Sequence, residues 1–295
     1  MSYFSIIPSE LTEIVISFFD NDTLSSFFSI YPVKESINWN TIYNLHFNLF
    51  RQINYKDYYN LLCIEKVKEG FNLKYDLEEI YCMKELHLNR CEIRNIPKEI
   101  GQLINLTLLN LGENEIKEIP KEIGKLYNLK KLCLHNNEIE IIPKEIGTLV
   151  NLETLNISHN KIKIIPKTIS NLINLEKLDI SCNKVEIIPK EVGKLVKLEE
   201  LYADENSIQK IPKEIGNLVK LWGLSFHRNR IEAIPTSMGK LLNLINLYLG
   251  YNKIRNIPLE INNLPRHCQI VLINNNITID ENELKLIYPN VDIFI

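Results

Sequence analysis

Residues 106–128 read LTLLNLGENEIKEIPKEIGKLYN, and residues 129–151 read LKKLCLHNNEIEIIPKEIGTLVN. The two stretches share a 23-residue pattern, LxxLxLxxNxIxxIPKEIGxLxN, in which the apolar, Asn and Pro positions keep one register. Prolines mark this period along most of the chain, at Pro97, Pro120, Pro143, Pro166, Pro189, Pro212, Pro235 and Pro258. A fixed period of this length is typical of a solenoid, in which stacked repeats bury apolar residues that no single repeat could bury alone.

Each position of the pattern predicts a local structure. The LxL segment alternates apolar and other residues, which predicts a short strand, and stacked strands would form a parallel sheet with a spacing of about 4.7–4.9 Å. The segment Glu122–Leu126 predicts a short helical turn on the opposite side. A buried Asn offers both donors and an acceptor to backbone groups where the chain turns. Eight asparagines occupy that position, with Cys91 in the first repeat: Asn114, Asn137, Asn160, Asn183, Asn206, Asn229, Asn252 and Asn275.

Over residues 83–277 this pattern resembles the leucine-rich repeat family. The resemblance implies an α/β leucine-rich-repeat solenoid of about nine repeats. Its parallel sheet would line the concave face and its short helical turns the convex face. The repeat containing Asn275 lacks the proline and is degenerate.

The segment before Tyr81 lacks the period, and its composition shifts to Phe, Tyr and Ser. Ile7, Leu11 and Val15 recur at helical spacing, and Pro8 and Ser9 suit the first turn of a helix. We expect a small all-α domain at residues 1–50. Residues 51–82 would then form a helical linker and N-terminal cap.

This N-terminal segment looks like an F-box. The matching positions are Ile7, Pro8, Glu10, Leu11, Val15, Ile16, Phe19, Asp22, Leu24 and Trp39. In that family these positions dock a Skp1-type adaptor of a ubiquitin ligase, so the resemblance implies the same role here. The chain departs from the family pattern at Ile30-Tyr31-Pro32, and its Trp39 comes late. A second interpretation stays open, in which the helices only cover the apolar end of the first repeat.

The C-terminal residues 278–295 are expected to form a cap at the other end of the repeats. Their pattern predicts a short helix at Glu281–Tyr288 and a last strand at Val291–Ile295. Such caps shield the apolar surface that the last repeat would otherwise expose.

Charge and cysteine usage narrow the class of protein and its surroundings. The 295 residues carry a net charge of -3, which provides no basic field for nucleic acid or a membrane surface. No apolar run of about 18 residues is present, and the segment Met1–Asp20 does not resemble a signal peptide. The six cysteines show no paired spacing. We therefore expect an intracellular, cytoplasmic protein, or one of the host cytoplasm if the chain is a viral protein or an effector.

The sequence contains no recognisable catalytic motif. A Gly-rich phosphate loop, a nucleophile elbow, an HExxH motif and paired CxxC motifs are all missing. Cys133, His135, His159 and Cys182 could approach one another across strands, but they spread over several positions of the repeat. We therefore expect no enzyme, no cofactor and no metal site.

The outward-facing strand positions of the later repeats are richer in interface-forming side chains than those of the earlier ones. Tyr and Arg are the side chains that most often anchor interfaces, so we expect a protein target on the concave face. The alternative is a solvated face with scattered aromatic residues. The predicted partner-binding residues are Asp179, Tyr202, Asp204, Glu205, Trp222, His227, Arg228, Tyr248 and Tyr251.

Three functional hypotheses follow. The first is a non-enzymatic recognition protein that acts as an F-box and leucine-rich-repeat substrate receptor of a ubiquitin ligase. The second is an intracellular leucine-rich-repeat signalling scaffold whose N-terminal helices act only as a cap. The third, a bacterial ligase effector, has little support because few residues follow the last repeat. Fold alone does not distinguish these functions.

Overall fold

The structure is a computed structural model and describes residues 66–75 and 77–295, which belong to one compact unit, Cys63–Ile295. The predicted helical domain at residues 1–50 lies outside the described residues. So do its F-box-like positions, Ile7 to Leu24 and Trp39, and half of the predicted linker at 51–82.

Within the described residues, ten three-residue strands form one parallel sheet in chain order. Each strand residue pairs with the equivalent residue of the next repeat, as Leu109 does with Leu132 and Leu201 with Leu224. The predicted parallel sheet is therefore confirmed. The strands are β1 Glu85–His87, β2 Leu108–Asn110, β3 Lys131–Cys133, β4 Thr154–Asn156, β5 Lys177–Asp179, β6 Glu200–Tyr202, β7 Gly223–Ser225, β8 Asn246–Tyr248, β9 Gln269–Val271 and β10 Asp292–Phe294.

The centre of each strand from β1 to β9 points into the core. Leu109, Leu132 and Leu155 are fully buried, whereas the residues on either side of them are half-buried or exposed. The second leucine of the LxL segment, such as Leu111, follows the strand and is buried as well. Burial of a Leu side chain stabilises a fold by about 1.5–3 kcal/mol, so these repeated positions supply most of the cohesion between repeats.

Eight short 3₁₀ helices lie on the side of the repeats opposite the sheet in the described residues, which confirms the predicted helical turns. Each starts after the repeated proline, as at Pro120, whose φ of -66° suits the turn and whose carbonyl accepts a hydrogen bond from Ile123 N at 3.0 Å. These helices are Lys98–Gln102, Lys121–Lys125, Lys144–Thr148, Lys167–Asn171, Lys190–Lys194, Lys213–Asn217, Thr236–Lys240 and Leu259–Asn263.

Consecutive 3₁₀ helices pack closely enough to favour glycine at one position, which is glycine in six of the eight helices and Ser170 or Asn262 in the other two. A Cβ atom on Gly124 would lie 2.7 Å from the carbonyl oxygen of Glu145 in the next repeat. A side chain there would force the helices apart, which explains why glycine recurs at this position.

The repeated asparagines bond to the turns, as predicted. Asn229 Nδ2 donates to the carbonyls of Ala203, Phe226 and His227 at 2.9, 3.1 and 3.3 Å. Its Oδ1 accepts from Ile208 N at 2.9 Å. The side chain therefore satisfies buried backbone groups of its own repeat and of the preceding one, and the same bonds recur at Asn137 and Asn160.

The residue before each repeated asparagine, and before Cys91 in the first repeat, adopts left-handed backbone geometry. The position has φ values between 51° and 60° and is never occupied by glycine: Arg90, Glu113, Asn136, His159, Cys182, Glu205, Arg228, Tyr251 and Asn274. Residues other than glycine and asparagine are unfavourable in this geometry by about 1–2 kcal/mol. A residue such as His159 or Arg228 at this position therefore adds a conformational energy cost that glycine would avoid.

Helical segments occur near both ends of the described sheet. Residues 66–70 are helical, and α1 spans Leu77–Cys82. At the other end α2 spans Glu281–Ile287, capped by Asp280, whose carboxylate accepts from Asn282 N and Glu283 N. The predicted C-terminal helix and strand are thus confirmed, and the strand, β10, extends the sheet in the same register.

Candidate functional site

The side chains that flank the buried strand centres form a surface that we call the sheet face. They occupy the first and third positions of each strand and the two positions that follow the second leucine. Over β2 to β4 the third strand position carries Asn110, Cys133 and Asn156. Over β6 and β8 it carries Tyr202 and Tyr248. The third strand position therefore changes from small side chains on β2 to β4 to tyrosine on β6 and β8, along an otherwise repeated framework.

Tyr202 lies among carboxylates and one ammonium group. Lys177 Nζ is 2.6 Å from Glu200 Oε2 and 5.1 Å from the centroid of the Tyr202 ring. A Cβ on Gly223 would meet the Tyr202 hydroxyl at 3.5 Å, so the ring extends toward the glycine of β7. Burial, a hydrogen bond with Glu200 and the charges of Asp179 and neighbouring carboxylates raise the pKa of the Tyr202 phenol. Tyr202 is consequently a neutral ring between acidic groups.

Asp204 connects the turns of two neighbouring repeats. Its Oδ1 accepts hydrogen bonds from the Ser225 hydroxyl and, at 2.7 Å, from His227 N. Burial raises the pKa of the Asp204 carboxyl above its ordinary 3.8, although both hydrogen bonds lower it, and the charge of Asp179 adds to the increase. The carboxylate is therefore positioned above β7 at a cost in desolvation.

Arg228 and Tyr251 form a second cation-aromatic pair beside Asp204. Arg228 Nη1 donates to Glu205 Oε1 at 3.0 Å, and its guanidinium carbon lies 5.3 Å from the centroid of the Tyr251 ring. The His227 ring meets Tyr251 edge-on with a centroid distance of 5.1 Å. Contacts of this kind contribute about 0.5–1 kcal/mol at exposed sites, so they position these side chains as well as stabilising them.

The structure brings most of the predicted partner-binding residues together. Asp179 and Tyr202 are strand register partners, as are Ser225 and Tyr248. Tyr248 lies two strands from Tyr202, and its side chain is exposed. The residues assembled on the sheet face are Asp179, Tyr202, Asp204, Glu205, His227, Arg228, Tyr248 and Tyr251.

Trp222 is the predicted residue that does not lie on the sheet face. It precedes β7, is half-buried, and accepts backbone hydrogen bonds from Ile245 N and Asn246 N. The equivalent residues of earlier repeats, such as Lys130 and Glu153, line a polar groove of about 830 Å³ along this edge of the sheet. The sequence pattern placed Trp222 near the sheet but did not show whether it lies on the sheet face or at the N-terminal ends of the strands.

Three contributing residues were missing from the predicted set: Lys177, Glu200 and Ser225. Lys177 and Glu200 carry opposite charges and occupy the same position of adjacent repeats, a signal that could have identified them as a cross-strand pair. Ser225 carries no comparable signal, because only the fold brings its hydroxyl to Asp204.

Two of the cysteine thiols are poorly suited to nucleophilic chemistry. Burial raises the pKa of the Cys182 thiol to about 11 and that of Cys268 to about 12, with nearby carboxylates adding to both increases. Such thiols are protonated at neutral pH and are therefore weak nucleophiles. Within residues 66–75 and 77–295, no three His, Cys, Asp or Glu side chains converge to hold a metal ion.

Family models describe the same repeats. A model for a leucine-rich repeat region matches residues 121–206, and one for a leucine rich repeat matches residues 83–139. Together with the parallel sheet and the asparagine bonds, these matches define a leucine-rich-repeat domain. The chain therefore contains leucine-rich repeats.

Solved structures with similar folds come from bacteria and plants. A leucine-rich-repeat protein of Leptospira interrogans is 37% identical with a TM-score of 0.64, over 68% of this chain and 52% of that one. The plant peptide hormone receptor RGFR1 in complex with RGF2 is 34% identical with a TM-score of 0.59, over 62% of this chain and 30% of the receptor. The ectodomain of the Arabidopsis thaliana receptor kinase GASSHO1/SCHENGEN3 in complex with CASPARIAN STRIP INTEGRITY FACTOR 2 is 27% identical with a TM-score of 0.65, over 72% and 26%.

This chain spans about half of the Leptospira protein and less than a third of the two receptor chains. No curated protein matches it. Among the residues that the structure describes, no helix is both long and apolar enough to cross a membrane.

Proposed function

We propose that this chain is a non-enzymatic recognition module that binds a protein partner on the sheet face of β5 to β8. The observation that carries the proposal is the change at the third strand position, from Asn110, Cys133 and Asn156 on β2 to β4 to Asp179, Tyr202 and Tyr248 on β5, β6 and β8, over an unchanged framework. A structural role alone would not require this change, because β2 to β4 stack in the same way without it. The similar receptors RGFR1 and GASSHO1/SCHENGEN3, whose structures contain RGF2 and CASPARIAN STRIP INTEGRITY FACTOR 2, support a peptide or protein ligand.

The test compares two triple variants of the full chain in affinity capture from a cell lysate. Tyr202→Ala, Arg228→Ala and Tyr248→Ala together should abolish capture of the partner, since truncating an interface anchor typically costs about 2 kcal/mol. The matched control replaces Asn110, Cys133 and Asn156 with Ala at the sheet face of β2 to β4 and should leave capture intact. Unchanged capture by the first variant would reject the proposed site.

Within this function, the F-box-like segment supports a substrate receptor of a ubiquitin ligase. The match at Ile7-Pro8 and Glu10-Leu11 would dock a Skp1-type adaptor, while the sheet face holds the protein to be modified. The alternative is an intracellular signalling scaffold whose N-terminal helices act as a cap. An intracellular setting suits both, since the five cysteines among the described residues are unpaired.

Direct binding of a purified Skp1-type adaptor to the full chain distinguishes these two functions. We expect calorimetric binding that is lost when Pro8 and Leu11 are replaced by Ala. It should be retained when the neighbouring Ser9 and Thr12 are replaced instead. An intact chain that does not bind the adaptor would leave the scaffold function, with the sheet-face site unaffected.

A further inference from the structure

The sheet face of β5 to β8 already holds two of its own basic side chains in the same way. Lys177 lies between the Glu200 carboxylate at 2.6 Å and the Tyr202 ring at 5.1 Å. Arg228 lies between the Glu205 carboxylate at 3.0 Å and the Tyr251 ring at 5.3 Å. A carboxylate next to an aromatic ring is therefore the arrangement by which this surface binds a cation.

Two further carboxylates on the same surface have no Lys or Arg partner among the described residues. Asp179 Oδ1 accepts a hydrogen bond from Ser181 N at 3.0 Å. Asp204 Oδ1 accepts from the Ser225 hydroxyl and His227 N. In both residues these bonds engage Oδ1, so Oδ2 is available as an acceptor for a donor from outside the chain.

Strand register places Asp179 in one row with two tyrosines, and a hydrogen bond to Ser225 brings the Asp204 carboxylate to the same row. Asp179 on β5 pairs with Tyr202 on β6, Tyr202 with Ser225 on β7, and Ser225 with Tyr248 on β8. Because Asp204 contacts the Ser225 hydroxyl, the row reads carboxylate, ring, carboxylate, ring at the strand spacing of about 4.7–4.9 Å. The last ring, Tyr248, is 36% exposed and has no cation of its own among the described residues.

Charge complementarity defines the occupant. Four carboxylates face two cations on this part of the sheet face, because Lys177 and Arg228 neutralise Glu200 and Glu205 and leave two negative charges. An acidic or wholly apolar partner would desolvate those charges without compensation. A partner that brings its own cations would instead replace water with charged hydrogen bonds.

Building on the proposed sheet-face site, we propose that its ligand is an extended protein segment with at least one Arg or Lys side chain. That side chain binds between the Asp204 carboxylate and the Tyr248 ring, and Asp179 adds a second contact for a cation. Extended segments suit the surface because their alternate side chains point the same way, toward a row of acceptors.

The experiment selects a displayed library of random 12-residue peptides against the intact chain and sequences the bound pool. We expect Arg and Lys to be enriched in peptides whose binding is lost in the Tyr202→Ala, Arg228→Ala, Tyr248→Ala variant. One selected peptide, synthesised with a fluorescent label, then serves as the probe for affinity measurements.

Two double variants, each of which removes two negative charges, measure how much charge contributes to binding of the probe peptide. In the Asp179→Asn, Asp204→Asn variant, the amide oxygens of the new side chains can still accept the existing hydrogen bonds. We expect this variant to bind the probe peptide at least 10-fold more weakly. The matched control, Glu85→Gln with Asp292→Asn, makes the same charge change at the two ends of the sheet and should have less than a 2-fold effect. Tyr248→Phe should retain affinity, whereas Tyr248→Ala should lose it, because the ring supplies the contact.

The outcomes separate the two proposals. Peptides that depend on the three anchors but lack basic residues, or that bind the Asp179 and Asp204 variant normally, would overturn the basic-ligand inference and leave the sheet-face site standing. Selected peptides that ignore the three anchors, or a library that yields no binder, would overturn both. Thermal unfolding of each variant verifies that an affinity loss does not arise from misfolding.

Discussion

The sheet face over β2 to β4 and the sheet face over β6 to β8 rest on the same interior yet carry different chemistry. Leu109 and Leu224 occupy equivalent buried strand centres, and Asn137 and Asn229 make equivalent bonds to the turns. The third strand position is nevertheless Asn110 on β2 and Tyr202 on β6. The comparison teaches that the chemistry of the sheet face can vary without disturbing the stacked interior.

The largest effect should come from breaking the interior that both regions share. Asn229→Ala leaves the backbone groups of Ala203, Phe226 and Ile208 without their buried partner and should lower the free energy of unfolding by about 3 kcal/mol. Asn160→Ala under β4 should cost the same within about 1 kcal/mol. Denaturant unfolding measures both, with exposed Asn256→Ala as the control. Unequal losses would show that the two regions differ inside as well as outside.

The next largest effect on stability should come from replacing a glycine between the 3₁₀ helices, and it is compared with replacement of a glycine on the sheet face. Gly124→Ala places a Cβ 2.7 Å from the Glu145 carbonyl and should destabilise the chain by about 1–3 kcal/mol. Gly223→Ala on β7 has its nearest contact at 3.5 Å, the Tyr202 hydroxyl, and should be nearly neutral. Thermal unfolding of the two variants provides the comparison. Equal losses would contradict the assignment of Gly223 to a permissive face.

A smaller effect separates backbone strain from side-chain contacts at the left-handed position. His159→Gly relieves a φ of 52° and should stabilise the chain by about 0.5–1 kcal/mol. Arg228→Gly relieves a similar φ of 53° but removes the contacts with Glu205 and Tyr251. We expect it to stabilise less than His159→Gly. Chemical unfolding of both proteins measures the difference, and an equal gain would mean that the Arg228 contacts contribute nothing.

The smallest effect concerns pH. Because burial raises the folded pKa of Asp204 above 3.8, the folded state binds this proton more tightly than the unfolded state does. The contribution of Asp204 to stability is thus greatest at low pH and declines as the pH rises from about 3.8 through the folded pKa. Asp204→Asn should flatten that decline and stabilise the chain at pH 7 by less than about 1 kcal/mol.

Unfolding measured across pH for the parent and Asp204→Asn checks this expectation, with Glu85→Gln as an exposed control. A variant that loses stability at pH 7 would mean that the Ser225 and His227 hydrogen bonds outweigh desolvation of the charge. A gain would fit a carboxylate that is maintained for binding rather than for folding.

Much of the fold could be predicted because each repeat restates the same physical requirements. The LxL alternation, Pro120 and Asn114 predicted a strand, a turn and a backbone-bonded asparagine, and the structure has all three. The left-handed position was not anticipated. Glycine and asparagine are its usual signal, yet His159 and Arg228 occupy it, since hydrogen bonds of the adjacent turns fix the backbone regardless of the side chain.

The candidate site was predicted only as a set of positions. The period assigns Tyr202 and Tyr248 to the sheet face. Trp222 was included in the predicted site as well, although it precedes the first residue of β7 and lies outside the sheet face. The period does not show that Lys177 bonds to Glu200, because side-chain conformation and neighbouring residue size decide that contact. Gly223 provides the space into which Tyr202 extends, and no feature of Tyr202 itself indicates it.

By itself, then, the sequence determined which residues form the interior, because a 23-residue period of apolar, Asn and Pro positions permits one way to bury its leucines. Tertiary structure decided which side chains of neighbouring repeats meet on the surface. Stacking brings equivalent positions of adjacent repeats within about 5 Å, where charge, ring orientation and size select the contacts. The pairing of Asp204 with Ser225 and His227 depends on that stacking, and so does the acidic and aromatic row that we propose binds a basic segment.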